Sequence, residues 1–379
     1  MKVPAQSKEQ IFLELSSHFG LPGSERFAKI LMKLLNEEEA KILLLLPGTA
    51  KDIASKTKIS KDKAVEILED LDRRGFIVPS SGEGEETEYA LCANAYDGIL
   101  YYIGWKRVRG EKLSDSDIEI LNLMEDFSIN EFLPAYADEA EARVLPVNEA
   151  IPTGVEVLPY EEVAKIVDNA KVIAVAPCPC RTMRSLGHGE RCPYPLLTCM
   201  QFDRAAEIFI KRGIGRKLTK EQALKLLRKF HEIGLFSQIA QADHGFEFIC
   251  NCCPDCCDYM ILWKSLGKGG PFKSRFQAVV DKNLCIGCGI CEKRCHFGAP
   301  EVKDGVSHID PARCMGCGLC VITCPTEAIK LVPVRGKEHI PEKAGWSLIP
   351  PLPSYDELKK QIEAGTVVWE EVSEGSEQS

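Results

Sequence analysis

Nothing in the 379-residue sequence is apolar for long enough to cross a bilayer. Runs such as Ile42–Leu46 fall far short of the roughly 20 residues a membrane helix needs. The opening MKVPAQSKEQ has no apolar stretch behind a basic start, so no secretory leader is expected. Positive charge is also in deficit, with 47 Lys and Arg against 56 Asp and Glu, a net charge of −9 and a pI of about 5.5. That balance opposes general binding to nucleic acid or an anionic membrane and suits a soluble, cytoplasmic protein. Common catalytic signatures are missing too. There is no GxGxxG after a strand, no P-loop and no HExxH, and the seven histidines form no ligand spacing of their own.

Cysteine, by contrast, is abundant. Eighteen cysteines in a long chain without an export signal point away from disulfides. Apart from Cys92 they fall in three knots, Cys178–Cys199, Cys250–Cys257 and Cys285–Cys324, and dense clusters of this kind indicate metal or iron–sulfur ligation.

Residues 1–36 read as a helical segment, with IFLELSSHF and RFAKILMKLL separated by the breaker LPGS. Residues 37–92 read as three helices and two strands. Thr49 and Ser60 are candidate caps, and a hairpin turns at GEGEE. This order resembles a winged helix-turn-helix. Residues 93–157 are expected to be an irregular connecting segment. A Cys-rich middle domain over 158–266 follows, with a helix over 158–170, a strand over 171–176 and helices over 200–212 and 219–233. Residues 267–280 read as a linker, 281–333 as a ferredoxin-like domain, and 334–379 as a Pro-, Glu- and Ser-rich tail that wraps the surface and frays at its end. The expected fold class is α+β and multidomain: a winged-helix-like N-terminal segment, a middle α/β Cys-rich domain and a C-terminal dicluster module.

The third knot carries the strongest signal. Cys285-x2-Cys288-x2-Cys291-x3-Cys295 is repeated as Cys314-x2-Cys317-x2-Cys320-x3-Cys324-Pro325. Three thiolates on a tight loop reach three corners of one cubane, and the fourth, on the following helix, reaches the other cluster. One [4Fe–4S] cluster is therefore assigned Cys285, Cys288, Cys291 and Cys324, and the other Cys295, Cys314, Cys317 and Cys320. Zinc sites favour two separated Cys-x-x-Cys pairs, which this is not. The segment resembles the dicluster ferredoxin family, which implies single-electron relay with a redox partner. The first run departs from the family pattern in carrying His296 where proline is usual. That histidine either tunes a cluster or is an ordinary loop residue.

The first knot offers Cys178, Cys180, Cys192 and Cys199, and the second Cys250, Cys252, Cys253, Cys256 and Cys257. Asn251, Pro254 and Asp255 make the second too polar for a core strand, so packing alone does not explain these thiols. At least one further iron–sulfur cluster is expected, with zinc as the alternative. Neighbouring cysteines point apart, so not all five of the second knot need be ligands. Arg181, Arg184, Arg191 and His188 either offset cluster charge, dock an acidic partner or are solvated loop residues.

The stretches PGTAKDIA, VLPYEEVAKIVDNAKVIAVAPCPCR, ICNCCPDCC and SRFQAVVDKNLCIGCGICEKRC resemble a family of 4Fe–4S binding proteins of anaerobic prokaryotes. That resemblance implies redox work beside a larger oxidoreductase. Two other readings stand next to electron transfer. A redox-sensing DNA binder is opposed by charge: the would-be recognition helix 60–74 has four basic residues against five acidic ones, and the wing is acidic. An enzyme reducing a substrate at an exposed middle-domain cluster would need an open iron position.

Overall fold

The computed structural model describes residues 7–340 apart from 20–22, 83, 93–94, 136–141, 152, 155–157, 159–160, 241–247 and 267–269. The expected behaviour of the tail beyond 340 and of most of the Gly267–Gly270 stretch lies outside the described residues.

The N-terminal half opens with α1 (Lys8–His18), α2 (Glu25–Leu34) and α3 (Glu37–Leu43), capped by Ser7, Ser24 and Asn36. A two-residue strand β1 (Gly48–Thr49) leads into α4 (Ala50–Thr57) and α5 (Lys61–Arg73), and Thr49 and Ser60 cap these helices as expected. The hairpin β2 (Ile77–Ser81) and β3 (Glu88–Leu91) takes β1 onto the outer side of β3, giving the antiparallel order β1-β3-β2.

Residues 93–150 are not irregular, and this corrects the sequence reading. They hold α6 (Ala95–Val108) and α7 (Asp115–Phe127). The helical period of α6 is carried by the buried Tyr96, Ile99, Leu100 and Ile103, but half-buried Tyr101, Tyr102 and Trp105 blur its polar side, and two glycines interrupt it. Those glycines sit at close approaches. A Cβ on Gly98 would stand 2.6 Å from the Gly75 carbonyl oxygen, and one on Gly104 would stand 2.4 Å from the Thr182 hydroxyl. Phe12, Phe27, Leu68, Phe76, Leu100 and Phe127 share one core with Met183 and Leu186. The expected boundaries at 36 and 92 therefore do not interrupt the packing.

The short α8 (Leu133–Ala135) precedes a six-stranded sheet built from β4 (Ala142–Leu145), β5 (Ile173–Pro177), β6 (Leu197–Phe202), β7 (Arg216–Leu218), β8 (Phe236–Ala240) and β9 (Phe248–Cys252). Its order is β4-β8-β9-β6-β5-β7 and every neighbouring pair is antiparallel. The middle region is thus α+β and not the α/β arrangement expected. The sheet also recruits β4 from the supposed connecting segment. The accompanying helices are α9 (Val163–Asn169), α10 (Pro179–Arg181), α11 (Asp203–Lys211), α12 (Lys220–Ile233) and α13 (Asp258–Leu266). The start of the helix expected over 200–212 is instead the end of β6. Helix α12 has the expected Thr219 capping box and a left-handed Gly234 at its end.

The C-terminal module contains β10 (Phe276–Val280), α14 (Ile290–Arg294), β11 (Pro300–Lys303), β12 (Val306–Ile309) and β13 (Ile329–Pro333). Phe276 pairs with Pro333 and Val280 with Ile329, so the segment expected as a linker supplies the module's own first strand. Among the described residues no helix is long and apolar enough to cross a membrane.

A buried ion pair ties the N-terminal core to the middle sheet. Asp72 of α5 accepts from Arg212 Nε at 3.0 Å, and Arg212 Nη2 donates to the Ile77 carbonyl at 2.7 Å. Both side chains are nearly fully covered. Asp72→Ala strands the guanidinium and is expected to cost roughly 3–5 kcal/mol, read as a lowered urea midpoint. Substitution of the exposed Glu38 should leave that midpoint nearly unchanged.

Candidate metal centres

The two cysteine runs of the C-terminal module lie on tight loops that glycines make possible. At Gly287 (φ +64°) a Cβ would stand 2.4 Å from the Gly305 carbonyl oxygen, and at Gly316 (φ +70°) 2.1 Å from that of Phe276. The fold brings the distant Cys324 beside the first run, so that Cys285, Cys288, Cys291 and Cys324 line one cavity together with Ser307 and Ile329. Cys295 is brought in the same way to Cys314, Cys317 and Cys320, close enough for their charges to act on one another.

Protein hydrogen-bond donors are aimed at these sulfurs. The Ser307 amide reaches Cys285 Sγ at 3.3 Å, the Ala278 amide reaches Cys314 Sγ at 3.5 Å, and the Ala299 amide reaches Cys295 Sγ at 3.5 Å. Such donors stabilise thiolate ligands, so the residues present fit a thiolate-bound cluster at each loop. Burial pushes the Cys317 thiol up to about 12, and raises Cys295 and Cys320 as well. A positive metal centre is what makes the thiolate form tenable there.

The two loops differ in surroundings. Around the first, Cys288 is exposed and Leu284, Ile286 and Ile290 present apolar side chains to solvent, Ile286 at 65% exposure. Around the second, Cys314, Met315, Leu319 and Cys320 are buried. The Cys317 carbonyl accepts from the Val147 amide at 2.9 Å, which holds this loop against the middle region. His296, at the end of the first run, makes a separate contact with the middle region. Its Nε2 lies 2.6 Å from the Gly234 carbonyl, while Arg294 Nη2 donates to the Glu232 carbonyl at 2.8 Å. Both groups meet the negative end of α12. His296 is therefore a docking residue, and burial lowers its pKa.

In the middle region the nine cysteines fall into two groups. Cys199 and Cys250 are register partners on β6 and β9, and Cys252 lies two residues along the same face. Cys250 is in reach of Cys199 and Cys252, Cys252 of Cys257, and Cys178 of Cys180. Gln238 Nε2 donates to Cys252 Sγ at 2.9 Å and to Cys257 Sγ at 3.4 Å, and Cys180 Sγ donates to Asp258 Oδ2 at 3.3 Å. Hydrogen bonding to Cys199 and burial raise Cys250, and hydrogen bonding to Cys252 and burial raise Cys257. The second group is Cys192, Cys253 and Cys256, whose sulfurs all lie within 4.8 Å of one another. Each adjacent pair is split: Cys252 and Cys257 pack with the C-terminal module, whereas Cys253 and Cys256 pack with Phe202, Phe230 and Ile249.

The basic residues around the first knot separate similarly. Arg181 and Arg184 are buried, whereas Arg191 is exposed. Arg184 donates to the Cys256 carbonyl at 2.8 Å and pairs with Asp258, and His188 meets Glu125. Gln238 and Asp258 were not singled out from sequence. Gln238 is spaced like any inward strand residue, and Asp258 reads as an ordinary first-turn acid.

Residues 278–301 and 307–330 each match the family model described as a 4Fe-4S binding domain. A search of curated proteins returned no match. The C-terminal module thus carries two tandem repeats of a 4Fe–4S binding domain, as in a dicluster ferredoxin, and holds iron–sulfur clusters.

A buried polar chain supports the second knot. His231 Nε2 lies 2.8 Å from Ser237 Oγ, Ser237 donates to Asn251 Oδ1 at 2.8 Å, and Asn251 Nδ2 donates to the Thr198 carbonyl at 2.8 Å. Burial holds His231 down to about 4, so the unfolded chain takes up a proton that the folded one refuses. Stability contributed by the neutral ring is complete above pH 6.5 and is lost as pH falls toward 4. Between pH 6.5 and 5 the loss should be roughly 2 kcal/mol in urea titrations, and that part of the slope should disappear in His231→Gln.

Proposed function

We propose that the protein is a cytoplasmic one-electron relay, acting with a redox partner protein or as a subunit of an oxidoreductase complex. The observation that carries this reading is the tandem 4Fe–4S match, laid over a cavity where Cys324 joins Cys285, Cys288 and Cys291. In this reading those four residues hold one cluster, and Cys295, Cys314, Cys317 and Cys320 hold the other. The bound clusters supply reversible one-electron storage, with potentials set by hydrogen bonds and burial.

The remaining work belongs to the chain. Amides of Ser307, Ala278 and Ala299 steady the sulfur charge. Leu284, Ile286 and Ile290 form an apolar rim at the exposed loop, where a partner would dock. The buried loop excludes water and faces inward, and Cys252 and Cys257 share its core with Cys314 and Cys320. That continuity supports a further iron–sulfur cluster among Cys178, Cys180, Cys199, Cys250, Cys252 and Cys257, next in line from the C-terminal module. The resemblance to 4Fe–4S proteins of anaerobic prokaryotes adds anaerobic metabolism to the reading.

Residues 37–92 are read as a winged helix that serves as scaffold. The antiparallel β1-β3-β2 sheet, with β1 between α3 and α4 and the β2-β3 hairpin after α5, supports the fold. On α5, Arg73 pairs with Asp70, Arg74 with Asp70 and Glu39, and Lys63 with Glu66, leaving little charge for phosphates.

Iron and acid-labile sulfide per anaerobically reconstituted chain test the relay. About eight irons are expected from the C-terminal module and about twelve with the middle cluster, and Cys324→Ala should remove about four. Colourless, iron-free protein would overturn the reading. A gel shift with duplex DNA at moderate salt should show no retarded band, and a specific one would restore the regulator reading.

A further inference from the structure

We infer that Cys192, Cys253 and Cys256 form a mononuclear, zinc-type metal site with an open fourth position, separate from every iron–sulfur centre. This goes beyond the relay, and the relay stands without it.

The first argument is distance. A tetrahedral ion bound through sulfur at about 2.3 Å places its ligands roughly 3.8 Å apart. Cys192 Sγ and Cys253 Sγ lie 3.8 Å apart, and all three sulfurs fall within 4.8 Å. Cubane corners are spread wider, because each thiolate binds a different iron. The chain contains its own comparison. Among the described residues this is the one group of three such ligands drawn so close, and neither quartet of the C-terminal module qualifies.

The second argument is charge. Arg181 is 1% exposed, and its guanidinium faces Cys253, Cys178 and Cys192. Nη1 is used on the Pro195 carbonyl and the Thr198 hydroxyl, each at 2.7 Å, and the remaining face of the guanidinium is turned to sulfur, with Cys253 in side-chain hydrogen-bond reach. A buried cation is costly unless negative charge stands beside it. Three thiolates around a divalent ion carry a net −1, which one guanidinium balances.

The third argument is access. No fourth Cys, His, Asp or Glu among the described residues joins the trio, and three protein ligands with a vacancy is the pattern of zinc sites that bind exogenous donors. Cys192 is half-buried and packs on the same core as Tyr194, Leu226 and Ile233, which line an apolar groove. Cys253 and Cys256 are buried, so Cys192, next in sequence to the groove residues Pro193 and Tyr194, marks the side from which a small soft donor, such as a thiol, would enter.

The test uses full-length protein purified anaerobically, with zinc, iron and acid-labile sulfide counted together. About one zinc per chain is expected. It should fall at least tenfold in Cys192→Ala, Cys253→Ala and Cys256→Ala, with iron, sulfide and the iron–sulfur electron paramagnetic resonance signals unchanged. Those unchanged signals show that each variant is folded and keep this test apart from that of the relay. Independently of any variant, cobalt(II) loaded into the unaltered protein should give thiolate charge-transfer and tetrahedral d–d bands, and 2-mercaptoethanol should shift the d–d bands. Three results would overturn the site: zinc retained in the variants, iron and sulfide falling together by a cubane's worth, or a Cys192–Cys253 disulfide in the anaerobic protein. Cobalt bands indifferent to the added thiol would overturn the open position.

Discussion

Buried sulfur is the constraint around which this chain is organised. A thiolate under protein needs positive charge or hydrogen-bond donors close by, or it reverts to the neutral thiol. The molecule meets that demand differently in three places. In the C-terminal module, amides just after the positive-φ glycines Gly305 and Gly298 reach Cys285 and Cys295, and an amide of β10 reaches Cys314. Beside β8 and β9, the amide of Gln238 reaches Cys252 and Cys257. Around Cys253 the positive group is a whole guanidinium, that of Arg181. The same element is therefore held in three distinct electrostatic settings within one fold.

The C-terminal repeats were legible because their chemistry is local. Spacings of two and three residues decide which sulfurs one turn can gather, and the repeated glycines accompany them. The helices α4, α5 and α12 were legible for a similar reason, since Thr49, Ser60 and Thr219 announce their starts. Helix α6 was not, because glycines at 98 and 104 mimic a break. Their cause is visible only when Gly75 and Thr182 arrive from elsewhere in the chain. The antiparallel middle sheet was hidden likewise. Strand β4 pairs with β8 across a long separation, and no local pattern encodes that partner.

The grouping of the middle cysteines shows where the boundary between local and non-local information falls. That neighbours such as Cys252 and Cys253 diverge follows from strand geometry and was expected. Which cysteine each one meets depends on the register of β6 against β9, and on the excursion from α10 to β6 that carries Cys192. The order of cysteines along the chain therefore does not predict their grouping. Cys178 and Cys180 end up with Cys257, while Cys192, from the same knot, joins Cys253 and Cys256.

The contact between α12 and the C-terminal module gives this partition a direction. Arg294 and His296 flank Cys295, the end of the first run, which lies beside Cys314 and Cys317, and both bind carbonyls at the end of α12. The other end of the first run leaves Cys288 and Ile286 in solvent. A relay needs a rigid inner end, where distance to the next centre must stay fixed, and an accessible outer end, where partners come and go. In the relay proposed, His296, standing where the ferredoxin pattern has proline, helps hold Cys295 at the inner end. On the proposed reading, electrons would arrive at the Cys288 side and pass inward toward Cys252 and Cys257.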